Sequence, residues 1–184
     1  MKTMNKIVNA KKENIEQLSA LFARGFTKDP LFCHYIPYEE EREEILFQIF
    51  RKYLTDCWDI LTVLQVEDAS AALCIYPPEG EPCERMVLSA SLQKVYEKIG
   101  QTVAPQFYED YLTLDLLAVE EGARGKGYAR ALVESFIEET KRLGKKGVVE
   151  IYNPHHVAFY ENLGFRLAHI QPIGDTLSAY LLEV

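Results

Sequence analysis

The sequence has little of what a secreted or membrane-spanning protein requires. Its four cysteines stand at irregular spacings with no C-x-x-C pair, so we interpret them as reduced thiols used in packing. No apolar run approaches the length of a membrane-spanning helix, and the opening stretch MKTMNKIVNAKKENIEQ contains no apolar segment of the kind that signal peptides have. We therefore expect a cytoplasmic protein with no membrane partner.

Basic residues are also scarce. The chain has 20 lysine and arginine residues against 28 aspartate and glutamate residues, a formal net charge of −8. A nucleic-acid-binding surface is basic, so this balance argues against a nucleic-acid partner. Some of the acidity is local, in the run EEEREE at 39–44 and at Glu120 and Glu121. The simplest interpretation of the charge is solubility, and a cationic substrate such as an amine is compatible with it.

No internal repeat, low-complexity segment or Gly/Ser-rich linker divides the chain. Its 184 residues are enough for one core, and we expect a single domain over residues 1–184. Apolar residues at helical spacing predict helices near 15–22, 45–54, 84–99, 132–143 and 155–163, and the acidic run 39–44 is expected to form the first turn of the second. Runs rich in β-branched and other apolar residues predict strands near 6–8, 60–66, 70–77, 111–119, 148–152, 165–172 and 177–183.

Local features constrain how these elements connect. The short polar link between 60–66 and 70–77 predicts a hairpin. The strand–helix–strand order from 111 to 152 predicts a right-handed crossover between parallel, neighbouring strands. The segment TKDPLFCHYIPYEEE is predicted to be irregular, because Pro30 and Pro37 interrupt it. The order of elements therefore predicts a mixed α/β fold.

The stretch LLAVEEGARGKGYARALVESF, residues 116–136, contains a glycine-rich turn between a strand and a helix. A helix that begins near Gly127 presents unpaired backbone N–H groups and the positive end of its dipole to the turn. Glycines leave room for a bulky anion to lie on the backbone, and Arg124, Lys126 and Arg130 add positive charge. The turn therefore predicts a phosphate or pyrophosphate site. The alternative is a tight turn that needs glycine only for its dihedral angles.

Two common phosphate-binding patterns do not fit this turn. The dinucleotide-binding pattern G-x-G-x-x-G can begin at Gly125, but Arg130 stands where the third glycine belongs. An acidic residue, Glu150, does stand at about the right distance, so a nicotinamide-dependent oxidoreductase is disfavoured rather than excluded. The pattern G-x-x-x-x-G-K-[ST] is absent, since no glycine–lysine–hydroxyl triple occurs here.

What fits is R-x-x-G-x-A at Arg124, Gly127 and Ala129, which resembles the [QR]-x-x-G-x-[GA] signature of the GNAT superfamily of N-acetyltransferases. The preceding LDLLAV resembles the central strand of that family. The later VVEIYNPHHVAFYENLGFR resembles its next strand and helix, with the pattern N-x-x-A-x-x-x-Y-x-x-x-G-F matched at Asn153, Ala158 (offset by one or two residues), Tyr160, Gly164 and Phe165. The strong resemblance covers residues 111–166.

The resemblance implies a fold and an activity. The fold is a mixed, mostly antiparallel sheet of six to seven strands, splayed between 111–119 and 148–152 and flanked by helices. The activity is transfer of an acetyl group from acetyl-CoA, without a metal, to a primary amine of a small molecule or peptide by direct attack in a ternary complex. The alternative is a catalytically silent acyl-CoA-binding sensor or regulatory module. Loss of Tyr160 or of the glycine turn would have favoured it, and both are present.

The resemblance also implies where the coenzyme lies. Backbone bonds to the pantetheine arm fall on Leu117 and Val119, with Leu116 and Ala118 packing the other way, and the pyrophosphate falls on backbone N–H groups of 124–129. Asn153 is expected to bond the pantetheine amides, to cap the following helix with Pro154 at its first position, or both. The coenzyme-binding residues are thus Leu117, Ala118, Val119, Arg124, Gly125, Lys126, Gly127, Tyr128, Ala129 and Asn153.

Two residues are candidates for catalysis. The family match makes Tyr160 the general acid for the departing thiolate, with an aromatic core residue as the alternative. Asp115 interrupts the apolar run LTLDLLAV, and we prefer it as general base over Glu120 and Glu150. A hydrogen-bonded strand-edge aspartate with no catalytic part is the alternative, since some family members use no dedicated base.

Other residues carry weaker signals. The histidines His34, His155 and His156 lack the spacing of a metal site. The choice of acceptor amine is expected to lie in FTKDPLFCHYIPYEEEREE and in the last hairpin, which share no motif with known acceptor sites. The final strands are also a candidate surface for a homodimer.

Overall fold

The computed structural model describes residues 6–78 and 111–184. Its strands are β1 Ile7–Asn9, β2 Thr62–Val66, β3 Ala71–Tyr76, β4 Tyr111–Val119, β5 Lys146–Ile151, β6 Arg166–Ile173 and β7 Leu177–Glu183. Its α-helices are α1 Ile15–Phe26, α2 Pro30–Tyr35, α3 Glu39–Cys57, α4 Tyr128–Leu143 and α5 Val157–Glu161. The helix predicted at 84–99 lies outside the described residues.

In the described part of the chain, seven strands form one sheet in the order β1-β2-β3-β4-β5-β7-β6. Every neighbouring pair is antiparallel except β4 and β5, which are parallel. The predicted hairpin of β2 and β3 and the predicted parallel pair are therefore confirmed. The mostly antiparallel sheet of seven strands also confirms the fold class that the sequence motifs imply.

Helices cover both faces of this sheet because each buries one apolar stripe. On one face, α1 and α3 bury Leu18, Phe22 and Leu46 against strand residues that include Leu116 and Ala118. On the other face, α4 buries side chains against β3 and β4, among them Leu132, Val133 and Phe136. Full burial of each such side chain contributes about 1.5–3 kcal/mol. The sheet is thus held between two apolar layers.

The prediction of an irregular segment at 27–41 was wrong for residues 30–35, which form α2. Pro30 occupies the first helical position, where a backbone N–H would have no intrahelical acceptor, so proline costs no hydrogen bond there. Asp29 is the N-cap, and its carboxylate accepts a hydrogen bond from the Leu31 N–H at 2.9 Å. The prolines therefore delimit a short helix: Pro30 starts it, and Pro37 stands after its end.

Arg42 of α3 fixes the path of the chain around α2. Its side chain is buried, and its guanidinium donates to the carbonyl oxygens of Thr27 at 2.7 Å, Ile36 at 2.8 Å and Pro37 at 3.2 Å. Three carbonyls satisfy the donors of this buried cation, which carries no ion pair in the described residues. The segment between α1 and α3 is thereby tied to the rest of the fold at both of its ends.

Candidate active site

The candidate site lies where β4 separates from β5. The two strands pair from Tyr111 with Lys146 to Leu114 with Val149, and the pairing stops there. Strand β4 nevertheless continues to Val119. Along this inner half, the side of β4 that faces away from β3 has no strand partner among the described residues. The expected splay of the sheet is therefore present.

A bulge in β4 marks the start of the splay. In the pairing with β3, Leu116 lies opposite Cys74 and Leu114 lies opposite Ile75, so Asp115 is an extra residue between them. The bulge shifts the alternation of side chains along the strand. Leu114 packs on the α4 side of the sheet, whereas Leu116 packs on the side of α1 and α3.

The bulge decides where Asp115 points. In an unbroken strand Asp115 would share a face with Leu117, which packs on the α4 side. Instead, Asp115 accepts a hydrogen bond of 2.5 Å from the hydroxyl of Tyr53 on α3. Asp115 and Leu116 thus both face the α3 side. Leu117 and Val119 pack toward α4, opposite to Leu116 and Ala118, as expected.

The glycine turn follows β4 directly. A turn of 3-10 helix at Glu121–Ala123 leads to Gly125 and Gly127, whose φ angles are 75° and 85°, and α4 begins at Tyr128. A side chain is strained at such angles, and a Cβ built on either glycine would have no atom within 4 Å. No side chain caps α4. The first turn of α4 therefore has backbone N–H groups without a side-chain cap.

The cations of the turn differ in their surroundings. Arg124 and Lys126 are exposed. Arg130 instead forms an ion pair with Glu134, one helical turn along α4, at 2.8 Å. Tyr128 is buried in the core cluster below α4, so its side chain does not face the turn.

A cavity of about 1040 Å³ opens at the splay and extends between the sheet, α1, α2 and α3. Eight of the residues predicted for the site line it: Asp115, Leu117, Ala118, Val119, Arg124, Ala129, Asn153 and Tyr160. The remaining four, Gly125, Lys126, Gly127 and Tyr128, belong to the adjoining turn and are not part of the lining.

Asp115 lies deep in this cavity, where water reaches it but protein surrounds it on most sides. Burial raises the pKa of its carboxyl group, and the hydrogen bond from Tyr53 partly offsets that shift. Burial and the charge of Asp115 raise the pKa of the Tyr53 hydroxyl well above its usual value. The same two causes raise the pKa of the buried Cys74 thiol. At neutral pH, Tyr53 and Cys74 are therefore neutral and Tyr53 is the hydrogen-bond donor.

Tyr160 of α5 also lines the cavity. Its side chain is 5% exposed, and its ring makes edge contacts with Phe159 and Phe165 at centroid distances of 5.0 and 5.3 Å. Burial raises the pKa of its phenol, which is therefore fully protonated at neutral pH. Its packing suits a core aromatic, and its place on the cavity wall leaves it available to donate a proton.

The other polar candidates have partners. Asn153 caps the turn of 3-10 helix before α5 by accepting from the His155 N–H at 3.1 Å, so the capping interpretation is confirmed. Glu120 forms an ion pair with Arg24. Glu150 lines the cavity and accepts a hydrogen bond from the hydroxyl of Tyr152.

From the sequence, the choice of acceptor was assigned to the segment 26–44, but no individual residue of the cavity wall that α1, α2 and α3 build was named. Phe26, Phe32 and Phe50 line it together with Asp29, whose pKa burial raises to about 6 against the opposing effect of its backbone hydrogen bonds. Of these, only Asp29 carried a local signal, since an aspartate before a proline is typical of a helix N-cap. The aromatic residues are brought together by tertiary packing.

No group of three or more histidine, cysteine, aspartate or glutamate side chains within 6–78 and 111–184 is arranged to hold a metal ion. In the same ranges, no helix combines the length and the apolar character needed to cross a membrane.

The sequence model of one family, described as "Acetyltransferase (GNAT) domain", matches residues 93–167. A solved structure described as a histone acetyltransferase HPA2 and related acetyltransferase from Corynebacterium glutamicum shares the fold with a TM-score of 0.74 and 16% identity, over 98% of this chain and 96% of that chain. An N-acetyltransferase from Staphylococcus aureus has a TM-score of 0.66 and 18% identity, over 97% of this chain and 100% of that one.

A third structure is the ribosomal-protein-S18-alanine N-acetyltransferase from Escherichia coli, with a TM-score of 0.60 and 19% identity over 98% of this chain and 93% of that chain. No curated protein matches the chain in sequence. At these identities the solved structures show a common fold, and the match to the family model adds the sequence motifs.

Proposed function

We propose that this chain, which matches the GNAT acetyltransferase model over residues 93–167 and shares the fold of known acetyltransferases, is itself a GNAT acetyltransferase. On that premise it transfers the acetyl group of acetyl-CoA to a primary amine of a small molecule or peptide, by direct attack in a ternary complex. The observation that carries the proposal is the opening of the sheet beside β4, which joins a cavity on one side and an uncapped helix N-terminus on the other.

The open half of β4 suits an extended ligand that carries amide groups. Peptide groups between Asp115 and Val119 have no strand partner on the side away from β3 among the described residues. A pantetheine arm contains two amides and can bond such an edge at Leu117 and Val119 as a further strand would. Asn153 also lines the cavity. Its side-chain oxygen caps the following turn, and its amide nitrogen takes no part in that cap.

The turn before α4 suits a pyrophosphate. The free N–H groups and the dipole of a helix of 16 residues favour an anion at this end. The open space at Gly125 and Gly127 lets that anion reach the backbone over residues 124–129. Arg124 and Lys126 supply positive charge, whereas the ion pair of Arg130 with Glu134 directs that side chain along the helix.

Asp115 is suited to act as general base for the amine. Acetyl-CoA supplies an activated thioester carbonyl, and a protonated amine must lose one proton before its nitrogen can attack that carbon. The raised pKa of Asp115 makes its carboxylate a stronger base than an exposed aspartate, and the Tyr53 hydroxyl holds it in place. As the C–N bond forms and the C–S bond breaks, the electron pair of the latter passes to sulfur.

Tyr160 is suited to act on the leaving group. A thiolate departs with that electron pair, and a neutral phenol can donate a proton or a hydrogen bond to it. The nitrogen loses a second proton as the amide forms, and that proton replaces the one given to the thiolate. The balance over the reaction is therefore one acetylated amine, one free thiol and one proton released to the base. The aspartate would thus act on the attacking amine and the tyrosine on the departing thiolate.

The test is amine-dependent release of the coenzyme A thiol, measured with a panel of primary amines in the wild type and in Asp115→Asn. The variant keeps an acceptor for the Tyr53 hydroxyl and loses the base, so we expect kcat to fall by roughly 10² to 10⁴ with the KM for acetyl-CoA unchanged. Asp68→Asn, in the exposed turn between β2 and β3, is the control for loss of one negative charge.

Stabilisation by acetyl-CoA without thiol release from any amine would contradict the enzyme and favour the acyl-CoA-binding regulatory module. Full activity in Asp115→Asn would leave the enzyme but remove its proposed base.

A further inference from the structure

The part of the cavity away from the glycine turn has a wall of aromatic and aliphatic side chains. Phe26, Phe32 and Phe50 form a three-ring cluster, with centroid distances of 5.7 Å, 5.5 Å and 5.8 Å between the pairs 26–32, 26–50 and 32–50. The same wall contains Leu31, Ile49, Tyr53 and Tyr76. Such a surface binds an apolar or aromatic group in preference to a strongly hydrated one.

Asp29 and Asp115 are two of the carboxylates that line this cavity. Asp29 is held by the Leu31 N–H, and Asp115 by the Tyr53 hydroxyl, and both bonds come from neutral donors. Within 6–78 and 111–184, no cationic side chain forms an ion pair with either carboxylate. Lys28 also lines the cavity, but its side chain is exposed and makes no ion pair with Asp29 in these ranges.

Asp115 is exposed to the open cavity and Asp29 is half-buried, so each attracts a positive charge that a ligand brings into the cavity. Arg42 does not supply that charge, since its donors are committed to the carbonyl oxygens of Thr27, Ile36 and Pro37. An ammonium group of the ligand supplies it, and the apolar wall accommodates whatever that group is attached to.

We propose that the acceptor is a small primary amine whose single ammonium group is attached to an aromatic or compact apolar body, an inference that rests on the function proposed above. The ammonium group lies against Asp29 and Asp115, and the body lies against the cluster of Phe26, Phe32 and Phe50. A polyamine would place further charges on this wall, and a peptide N-terminus would place polar backbone groups there. Both arrangements leave polar groups desolvated without partners.

The first experiment compares kcat/KM for thiol release with 2-phenylethylamine, ethylamine, spermidine and glycinamide at saturating acetyl-CoA. Because one methylene group in a fitted pocket already discriminates by about tenfold or more, we expect 2-phenylethylamine to exceed each of the other three by at least that factor. Ethylamine is the matched amine without a ring, spermidine represents polyamines, and glycinamide represents peptide N-termini.

The second experiment uses Asp29→Asn, which keeps the cap of α2 because asparagine caps as well as aspartate does. We expect the KM for 2-phenylethylamine to rise by roughly tenfold or more through loss of a charge-assisted contact, with the KM for acetyl-CoA unchanged. Inhibition by 2-phenylethanol, the neutral analogue, should stay the same. Asp175→Asn, in the exposed turn between β6 and β7, is the control for the change of charge.

The inference is overturned if spermidine or glycinamide is acetylated as efficiently as 2-phenylethylamine, or if Asp29→Asn leaves the KM for 2-phenylethylamine unchanged. The inference is also overturned if acetyl-CoA stabilises the protein against heat but none of the four amines causes thiol release. Absence of both stabilisation and release overturns the proposed function itself.

Discussion

At the scale of single residues, Tyr160 separates a catalytic contribution from a packing contribution. Its ring is part of the core between α5 and the sheet, whereas its hydroxyl belongs to a residue on the cavity wall. Replacement by phenylalanine keeps the packing of the ring and removes the hydroxyl. The contacts of the ring with Phe159 and Phe165 need no oxygen, so they survive the change.

We expect Tyr160→Phe to lower kcat by roughly 10² to 10⁴, because it removes a hydrogen bond made mainly in the transition state. The KM for acetyl-CoA should stay nearly constant, since the ground-state contacts remain. Steady-state thiol release with an amine found by the panel measures both constants.

The matched control is Tyr180→Phe on β7, which packs against the same core cluster and is not part of the cavity lining. Both variants should melt close to the wild type. A kcat of Tyr160→Phe within about threefold of wild type would leave the tyrosine as a core residue and assign the proton to water.

At the scale of elements, the turn between β4 and α4 combines two constraints at Gly127. Its φ of 85° strains any other residue, and its backbone faces open space. We expect Gly127→Val to abolish binding of acetyl-CoA, because a branched side chain would occupy the space needed by the pyrophosphate. Isothermal titration of the folded variant measures this loss.

The variant Gly174→Val distinguishes the effect of backbone strain from the effect of a side chain that blocks the coenzyme site. Gly174 has a φ of 59°, with no atom within 4 Å of a built Cβ, and it lies in the turn between β6 and β7. Both variants should lose about 1–3 kcal/mol of stability through backbone strain, but only Gly127→Val should lose the coenzyme. Wild-type affinity in Gly127→Val would show that no phosphate lies on this backbone.

The elements of this fold differ in how much local sequence determines them. The bounds of β4 and the helix after the glycine turn follow from apolar spacing and glycine position, and both were predicted. Helix α2 was missed because Pro30 was interpreted as a breaker, although a proline at the first helical position starts a helix.

The bulge at Asp115 is a different case. It depends on which residues of β3 lie opposite β4, and the contact of Asp115 with Tyr53 joins positions far apart in the chain. No local pattern encodes such pairings. The face toward which Asp115 points, and with it the acceptor side of the cavity, could therefore not be predicted from the motifs.

At the scale of the whole molecule, the coenzyme should act as part of the fold. A ligand that binds only the native state adds about 2.7 kcal/mol at a hundredfold excess over its Kd. For a chain of this size that corresponds to a rise in Tm of roughly 5 to 11 °C. Thermal unfolding with acetyl-CoA, dephospho-CoA and adenosine measures it.

Dephospho-CoA should retain most of the rise, because it keeps the pyrophosphate and the pantetheine arm, and adenosine should give little. Absence of a shift at millimolar acetyl-CoA would contradict coenzyme binding, and an equal shift with adenosine would contradict the assignment of the glycine turn.

The open half of β4 also bears on how the molecule avoids association with its own copies. An unpaired strand edge is a template for another strand, and natural sheets blunt such edges with bulges, inward-pointing charges and coverage by other elements. Two of these are present here: the bulge at Asp115 and its carboxylate. The features that form the candidate site therefore also keep a hydrogen-bonding edge in the middle of the sheet from recruiting a foreign strand while no ligand is bound.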